Sequence, residues 1–203
     1  MSAAAIKAVI FDIGGVLIPS PFRIWKAEKQ RGLKEGSLVA TLRSQEVLPL
    51  FRALEKGESN LVDFEGSFSH FYKEKFGVTP GLLFIDTLDL QMIPEMITAV
   101  EALKAKGIKA GVITNNFFYD RAHLLPTIPA DSNRFEVVVE SCRVGISKPD
   151  PAIYELALQQ LGVRPEEALF IDDLKNNVKG ASDLGMETLL VMISGSVMIS
   201  RTV

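Results

Sequence analysis

Short apolar runs that close on polar residues recur along this chain: Val9-Ile10-Phe11-Asp12, Val112-Ile113-Thr114-Asn115 and Phe170-Ile171-Asp172-Asp173, with Ser147-Lys148-Pro149-Asp150 as a further polar segment before the last of them. Continuous rather than alternating apolar runs suit strands buried on both faces, and such burial belongs to parallel sheets covered by helices. The polar residue closing each run then falls at the carboxyl edge of the sheet, where open α/β folds bind ligands. Residues far apart in sequence are therefore expected to meet in one crevice.

The rest of the chain alternates to match, with one large interruption. Pro94 suits a first helical turn, Met96 to Lys106 has helical spacing, Gly107 fits the position after its end, and Ile108 to Ile113 reads as a strand. Further on, Phe135 to Val139 predicts a strand, Pro151 to Leu161 a helix closed by Gly162, Ala168 to Ile171 a strand, Asn177 to Leu184 a helix closed by Gly185, and Glu187 to Ile193 a last strand. Five strands with intervening helices predict an α/β fold, a doubly wound parallel, Rossmann-like sheet. Between Pro21 and about Leu90 strand-like runs are missing. Leu48, Phe51, Leu54, Val62, Phe64, Phe68, Phe71 and Phe76 fall largely on helical faces there, with Lys56-Gly57 and Phe76-Gly77 as stops. The expected organisation is a core of residues 1–18 and 92–203 carrying an inserted helical cap, residues 19–91, whose aromatic residues and Trp25 pack its own core. The tail, Ser194 to Val203, has no pattern that assigns it.

Composition narrows the functional classes. A chain of 203 residues with 47% hydrophobic content can bury a substantial core, and a net charge of −3 supplies no basic stripe for nucleic acid. Cys142 is the only cysteine, which excludes an internal disulfide and any multi-cysteine metal site, and leaves it a structural role. The start, Met-Ser-Ala-Ala-Ala-Ile-Lys, leads into the first strand without a separate apolar targeting region, and no apolar stretch is long enough to cross a bilayer. The expectation is a cytoplasmic protein with no membrane span.

The strand-end residues carry chemistry as a set. Asp12, beside the glycine turn Gly14-Gly15, is a carboxylate able to attack phosphorus if a cation shields its charge. Asp172 and Asp173 add hard oxygen ligands of the kind Mg²⁺ takes. Thr114 and the backbone N–H that follows can hold phosphoryl oxygens, and Lys148 adds positive charge where nucleophile and phosphate are both negative. Taken alone, each has a plainer reading: an Asp after a strand is more often a turn or cap residue, Lys148 before Pro149 can be a solvated loop lysine, and Asp172-Asp173 can cap the next helix. The joint order of the motifs favours the site. His70 and His123 lack any paired ligand pattern and are read as surface or packing residues.

These motifs, in this order, resemble those of the haloacid dehalogenase-like hydrolases. More narrowly, Val139 to Tyr154 and Phe170 to Asn177 resemble the N-terminal phosphatase domains of soluble epoxide hydrolases. The resemblance implies Asp12 as nucleophile, Thr114 and Asn115 as phosphate holders, Lys148 as stabilising cation, Asp172 and Asp173 with Asp12 as metal-side carboxylates, Gly14 as a metal ligand through its carbonyl, and Asn177 as a supporting polar residue. It further implies Mg²⁺ and a small or lipid-like phosphate ester as substrate. The chain departs from the pattern at Gly14, where the family's phosphatases carry a second Asp that protonates the leaving oxygen and then activates water. Acid–base help of that kind is worth about 10²–10⁴-fold in rate. Three readings follow: a phosphohydrolase that is confined to good leaving groups or takes its acid from the cap, a catalytically impaired relative serving as a binding or interaction module, and, ranked last, a metal-free dehalogenase.

Overall fold

The computed structural model describes residues 4–19, 28–81, 91–194 and 196–201. Trp25 and the joins between the helical insert and the sheet lie outside the described residues. Five parallel strands form the sheet: β1 (Ala8–Phe11), β2 (Lys109–Thr114), β3 (Val137–Glu140), β4 (Ala168–Asp172) and β5 (Glu187–Ser194). A sixth, β6 (Ser196–Arg201), pairs antiparallel with β5, giving the order β3-β2-β1-β4-β5-β6. Residues 196–201, within the tail left unassigned from sequence, thus form an antiparallel strand beside β5.

Central β1 explains why its sequence is apolar throughout. Ala8 and Ile10 belong to one buried cluster, with Ile153, Tyr154, Ala157 and Ala181, whereas Val9 and Phe11 belong to a second, with Val100, Val112 and Phe135. Successive side chains on a strand point to opposite faces, so a strand covered on both sides needs an apolar residue at every position. After the short α5 (Ser141–Val144), which directly follows β3, the chain completes its covering helices: α4 (Pro94–Ala105) lies on one face, and α6 (Pro151–Leu161) and α7 (Lys175–Asp183) on the other. Helix α6 begins as its sequence suggests: Asp150 accepts a hydrogen bond from the Ala152 N–H, Pro151 occupies the first turn, and Gly162 closes the helix at φ +65°.

Within residues 28–81, α1 (Ser37–Leu42), α2 (Leu48–Glu55) and α3 (Leu61–Phe76) enclose a separate apolar cluster that includes Leu38, Val47, Leu54, Phe64, Phe68 and Tyr72. Asn60 caps α3 by accepting from the Asp63 N–H at 3.1 Å, and Gly77 ends it in the left-handed conformation. Val62, expected on the apolar face, is half exposed instead. The helices seat on the sheet's carboxyl edge through residues 55–63. The Leu61 N–H donates to the Phe118 carbonyl at 2.8 Å, and Arg121 binds Asp63 at 2.6 Å. Among the described residues, no helix is long and apolar enough to cross a membrane.

Candidate active site

Asp12 follows β1, Thr114 ends β2 and Asp172 ends β4, while Lys148 reaches the same point from the loop before α6. Parallel pairing of β1 with β2 and β4 puts these ends side by side, which is how residues more than a hundred positions apart come into contact. The Lys148 ammonium, only 1% exposed, donates to Asp12 Oδ1 at 2.8 Å, to Asp172 Oδ2 at 2.7 Å and to the Ile113 carbonyl at 2.9 Å. Burial acts to lower the Lys148 pKa, but the two carboxylates outweigh it and hold the group above its ordinary value. The lysine therefore stays charged, in contact with Asp12 Oδ1.

The two adjacent aspartates differ in their surroundings. Asp172 is fully buried and accepts from Lys148, from Asn177 Nδ2 at 3.0 and 3.1 Å, and from the Leu174 N–H at 2.8 Å. Asn177 is itself anchored in α7, and the Tyr154 hydroxyl donates to its carbonyl at 2.8 Å. Asp173 lies against Gly15 instead. A Cβ on Gly15 would collide with the Asp173 carboxylate, and Gly15 adopts φ +80°, so the position demands glycine on both counts. Among the described residues this positive φ falls on Gly15 and not on Gly14.

Asp12, Asp172 and Asp173 each offer an oxygen within 4.8 Å of the others. Burial, opposed by Lys148 and reinforced by Asp172, pushes Asp12 up to about 6, and burial together with the charges of Asp12 and Asp172 pushes Asp173 up to about 7. One lysine does not balance three clustered carboxylates. A hard divalent cation would, and the all-oxygen donor set fits Mg²⁺.

Asn115 closes the crevice from the β2 side. Its Oδ1 accepts from the Lys148 N–H at 2.8 Å and its Nδ2 donates to the Lys148 carbonyl at 3.0 Å, clipping the two loops together. Behind it, Asn116 donates to Glu140 at 2.6 Å and its N–H donates to Ser141 Oγ at 3.0 Å, while Glu140 also binds Thr127 and Arg143. This buried network fixes the turn after β2. Cys142 joins it, donating to Asn116 Oδ1 at 3.1 Å; burial first, then Glu140, pushes its thiol up to about 12. A thiol so rarely ionised is structural. The histidines stand apart: His70 is exposed beside Glu74, and His123 stacks on Phe118.

One ionisable neighbour of the site carries no local sequence signal. Glu55, the last residue of α2, accepts from Asn115 Nδ2 at 3.4 Å, and burial pushes its carboxyl up to about 7 against the opposing effects of Asn115, Lys148 and Arg52. The close seating of Gly57 sets it there. Gly57 has φ +72°, and a Cβ on it would collide with the Cys142 carbonyl.

The profile described as haloacid dehalogenase-like hydrolase matches residues 6–185. The chain belongs to that family. Curated relatives include acyl-CoA dehydrogenase family member 10 of Mus musculus, 39% identical over 91% of this chain and 18% of its own length, and bifunctional epoxide hydrolase 2 of Sus scrofa, 32% identical over 92% and 36%. The chain thus spans about a fifth to a third of those proteins. A glyceraldehyde 3-phosphate phosphatase of Methanopyrus kandleri is 27% identical over 92% of this chain and 84% of its own length. Among solved haloacid dehalogenase-like structures, an enzyme of Bacteroides thetaiotaomicron in complex with magnesium and inorganic phosphate superposes with a TM-score of 0.60 at 22% identity, covering 92% of this chain and 94% of the other. At that identity the likeness speaks for the shared fold.

Proposed function

We propose that this haloacid dehalogenase-like hydrolase is a Mg²⁺-dependent phosphatase that acts through an aspartyl-phosphate on a small or lipid-like phosphate ester. The observation that carries the reading is the Lys148 ammonium bound at once to Asp12 and Asp172, with Asp173 beside them at Gly15. Relatives named as phosphatases, and a shared fold solved with magnesium and phosphate, support the same chemistry.

In this reading Asp12 attacks phosphorus, forming an aspartyl–phosphate bond as the bond to the leaving oxygen breaks; water then attacks the same phosphorus and frees Asp12. Thr114 and Asn115 hold phosphoryl oxygens, and Lys148 neutralises charge on nucleophile and phosphate. Asp12, Asp173 and the Gly14 carbonyl would hold Mg²⁺, with Asp172 at its margin. When bound, the cation supplies the charge that lets a carboxylate approach a phosphate dianion. Asn177 supports the arrangement by orienting Asp172. The helical segment within 19–91 serves as the cap over the crevice formed by the core, 1–18 and 92–203. A small-molecule ester, rather than nucleic acid, is the partner, and the cytoplasm the compartment.

Gly14 favours a second reading, a catalytically impaired relative that keeps the phosphate or metal pocket as a binding or interaction module. A phosphatase screen across leaving groups, with and without Mg²⁺, separates the two when run beside Asp12→Asn. The phosphatase reading expects Mg²⁺-dependent turnover that this near-isosteric variant abolishes. Background rates throughout would leave the binding module.

A further inference from the structure

Position 14 carries no carboxylate, yet a carboxyl group stands at the crevice from another direction. Glu55 enters on α2, accepts from Asn115 at 3.4 Å, and is linked to Asp12 through hydrogen bonds, Asn115 being clipped to Lys148 by two of them and the Lys148 ammonium donating to Asp12. Among the described residues it forms no ion pair, so its placement is not that of a surface charge held by a cation. An in-line displacement by Asp12 expels the leaving oxygen on the side away from β1, towards the cap. That is the side from which Glu55 comes.

We propose that Glu55, carried into the crevice by the cap, is the proton donor to the leaving oxygen and then the base for the hydrolytic water, the two tasks for which residue 14 has no side chain. This rests on the phosphatase reading. In the first half-reaction the Asp12–phosphorus bond forms, the bond from phosphorus to the leaving oxygen breaks, and the Glu55 proton passes to that oxygen, releasing the alcohol and leaving Glu55 a carboxylate. In the second, Glu55 takes a proton from water as the water oxygen bonds to phosphorus and the Asp12–phosphorus bond breaks. Inorganic phosphate leaves, with Asp12 ionised and Glu55 protonated as at the start. Burial, which pushes this carboxyl up to about 7, suits a group that must both give and take a proton near neutral pH.

Acid-quenched single-turnover and steady-state kinetics with Mg²⁺ test this on two substrates, 4-nitrophenyl phosphate and 2-phenylethyl phosphate, in the wild type and in Glu55→Gln, which keeps the size of the side chain and an acceptor for Asn115. The wild type is expected to turn over both. In the variant, turnover of the alkyl ester should fall by about 10²–10⁴-fold, while the aryl ester should give a burst of nitrophenol and accumulate labelled phosphoenzyme. Gly14→Asp in the Glu55→Gln background should recover part of the alkyl activity, since residue 14 has an ordinary φ. A folded Glu55→Gln protein with wild-type discrimination between the esters and no accumulated phosphoenzyme would overturn the role of Glu55 and leave the phosphatase reading intact. Absence of any phosphoenzyme or turnover in the wild type would overturn both. If Glu55→Gln does not fold, the wild type decides alone: activity confined to the aryl ester would mean that no acid serves the leaving oxygen.

Discussion

Asp172 and Asp173 are neighbours in sequence with the same side chain, and their environments divide the work between them. Asp172 is enclosed by Lys148, Asn177 and the Leu174 N–H, whereas Asp173 is only partly buried, beside Gly15. Asp172→Asn should therefore act on stability. It leaves the buried Lys148 charge with one anionic partner fewer, and breaking a buried pair in this way costs about 3–5 kcal/mol, to be read from urea denaturation. Asp173→Asn should raise the urea midpoint at neutral pH in the absence of Mg²⁺, because it removes a carboxyl that burial and the charges of Asp12 and Asp172 hold above its ordinary range, and it should remove Mg²⁺ affinity by calorimetry, since an amide is a much poorer ligand for a hard cation. Mg²⁺ affinity undiminished in Asp173→Asn would take that residue out of the metal site.

At the scale of elements, the helices of residues 28–81 meet the loop after β2 through one closely seated segment. Gly57 lies against the Cys142 carbonyl, and four residues later the Leu61 N–H donates to the Phe118 carbonyl. Gly57→Ala is strained twice, by its positive φ and by the collision, so residues 55–61 must lift from the loop after β2. The expected result is faster amide exchange at Leu61, with exchange in β1 and β4 unchanged, measured by hydrogen–deuterium exchange. Protection at Leu61 equal to wild type would mean that the seat tolerates a methyl group. Helices and strands themselves were largely legible from sequence. Helix α6 was read to its end residues from Pro151 and Gly162, while β3 begins two residues later than expected because Phe135, apolar though it is, packs against Phe11 from the loop before the strand. Strand β6 escaped the reading although Ser194-Gly195-Ser196 is a hairpin-turn signal, because the runs on either side lack alternation.

Across the whole molecule, the carboxyl edge of the sheet gathers the candidate site and the opposite edge carries a charge lock. Lys7, just before β1, binds Glu167, just before β4, at 2.6 Å, and Glu167 also accepts from the Arg164 N–H. The Lys7 contact foremost, with the Arg164 N–H and side chain, holds the Glu167 carboxyl down at about 2. A carboxyl whose pKa is lower folded than unfolded stabilises the fold above its unfolded value and loses that contribution as pH falls through its folded value. Glu167→Gln should thus be less stable than wild type at neutral pH, and the difference should shrink as pH falls from about 4.5 towards about 2, as followed by denaturant titration at a series of pH values. A stability difference independent of pH would show that the charge of Glu167 contributes nothing.

What the sequence determined by itself is everything that depends on local pattern: strands buried on both faces are apolar at every position, helix ends need their prolines and glycines, and the polar residues that close the runs share one edge of a parallel sheet. Asp12, Thr114, Asn115, Asp172 and Asp173 close such runs and Lys148 falls in a further polar segment, so their meeting was legible in the sequence, whereas Asn177 and the role of each residue came only from the resemblance to the family. Tertiary structure decided what depends on distance through space. It enclosed Asp172 and left Asp173 at the margin, it required Gly15 rather than Gly14 to take the strained backbone, and it brought Glu55 to Asn115 across 60 positions of chain. No periodicity records such a meeting, because the approach of Glu55 depends on how a separately packed set of helices seats on the sheet.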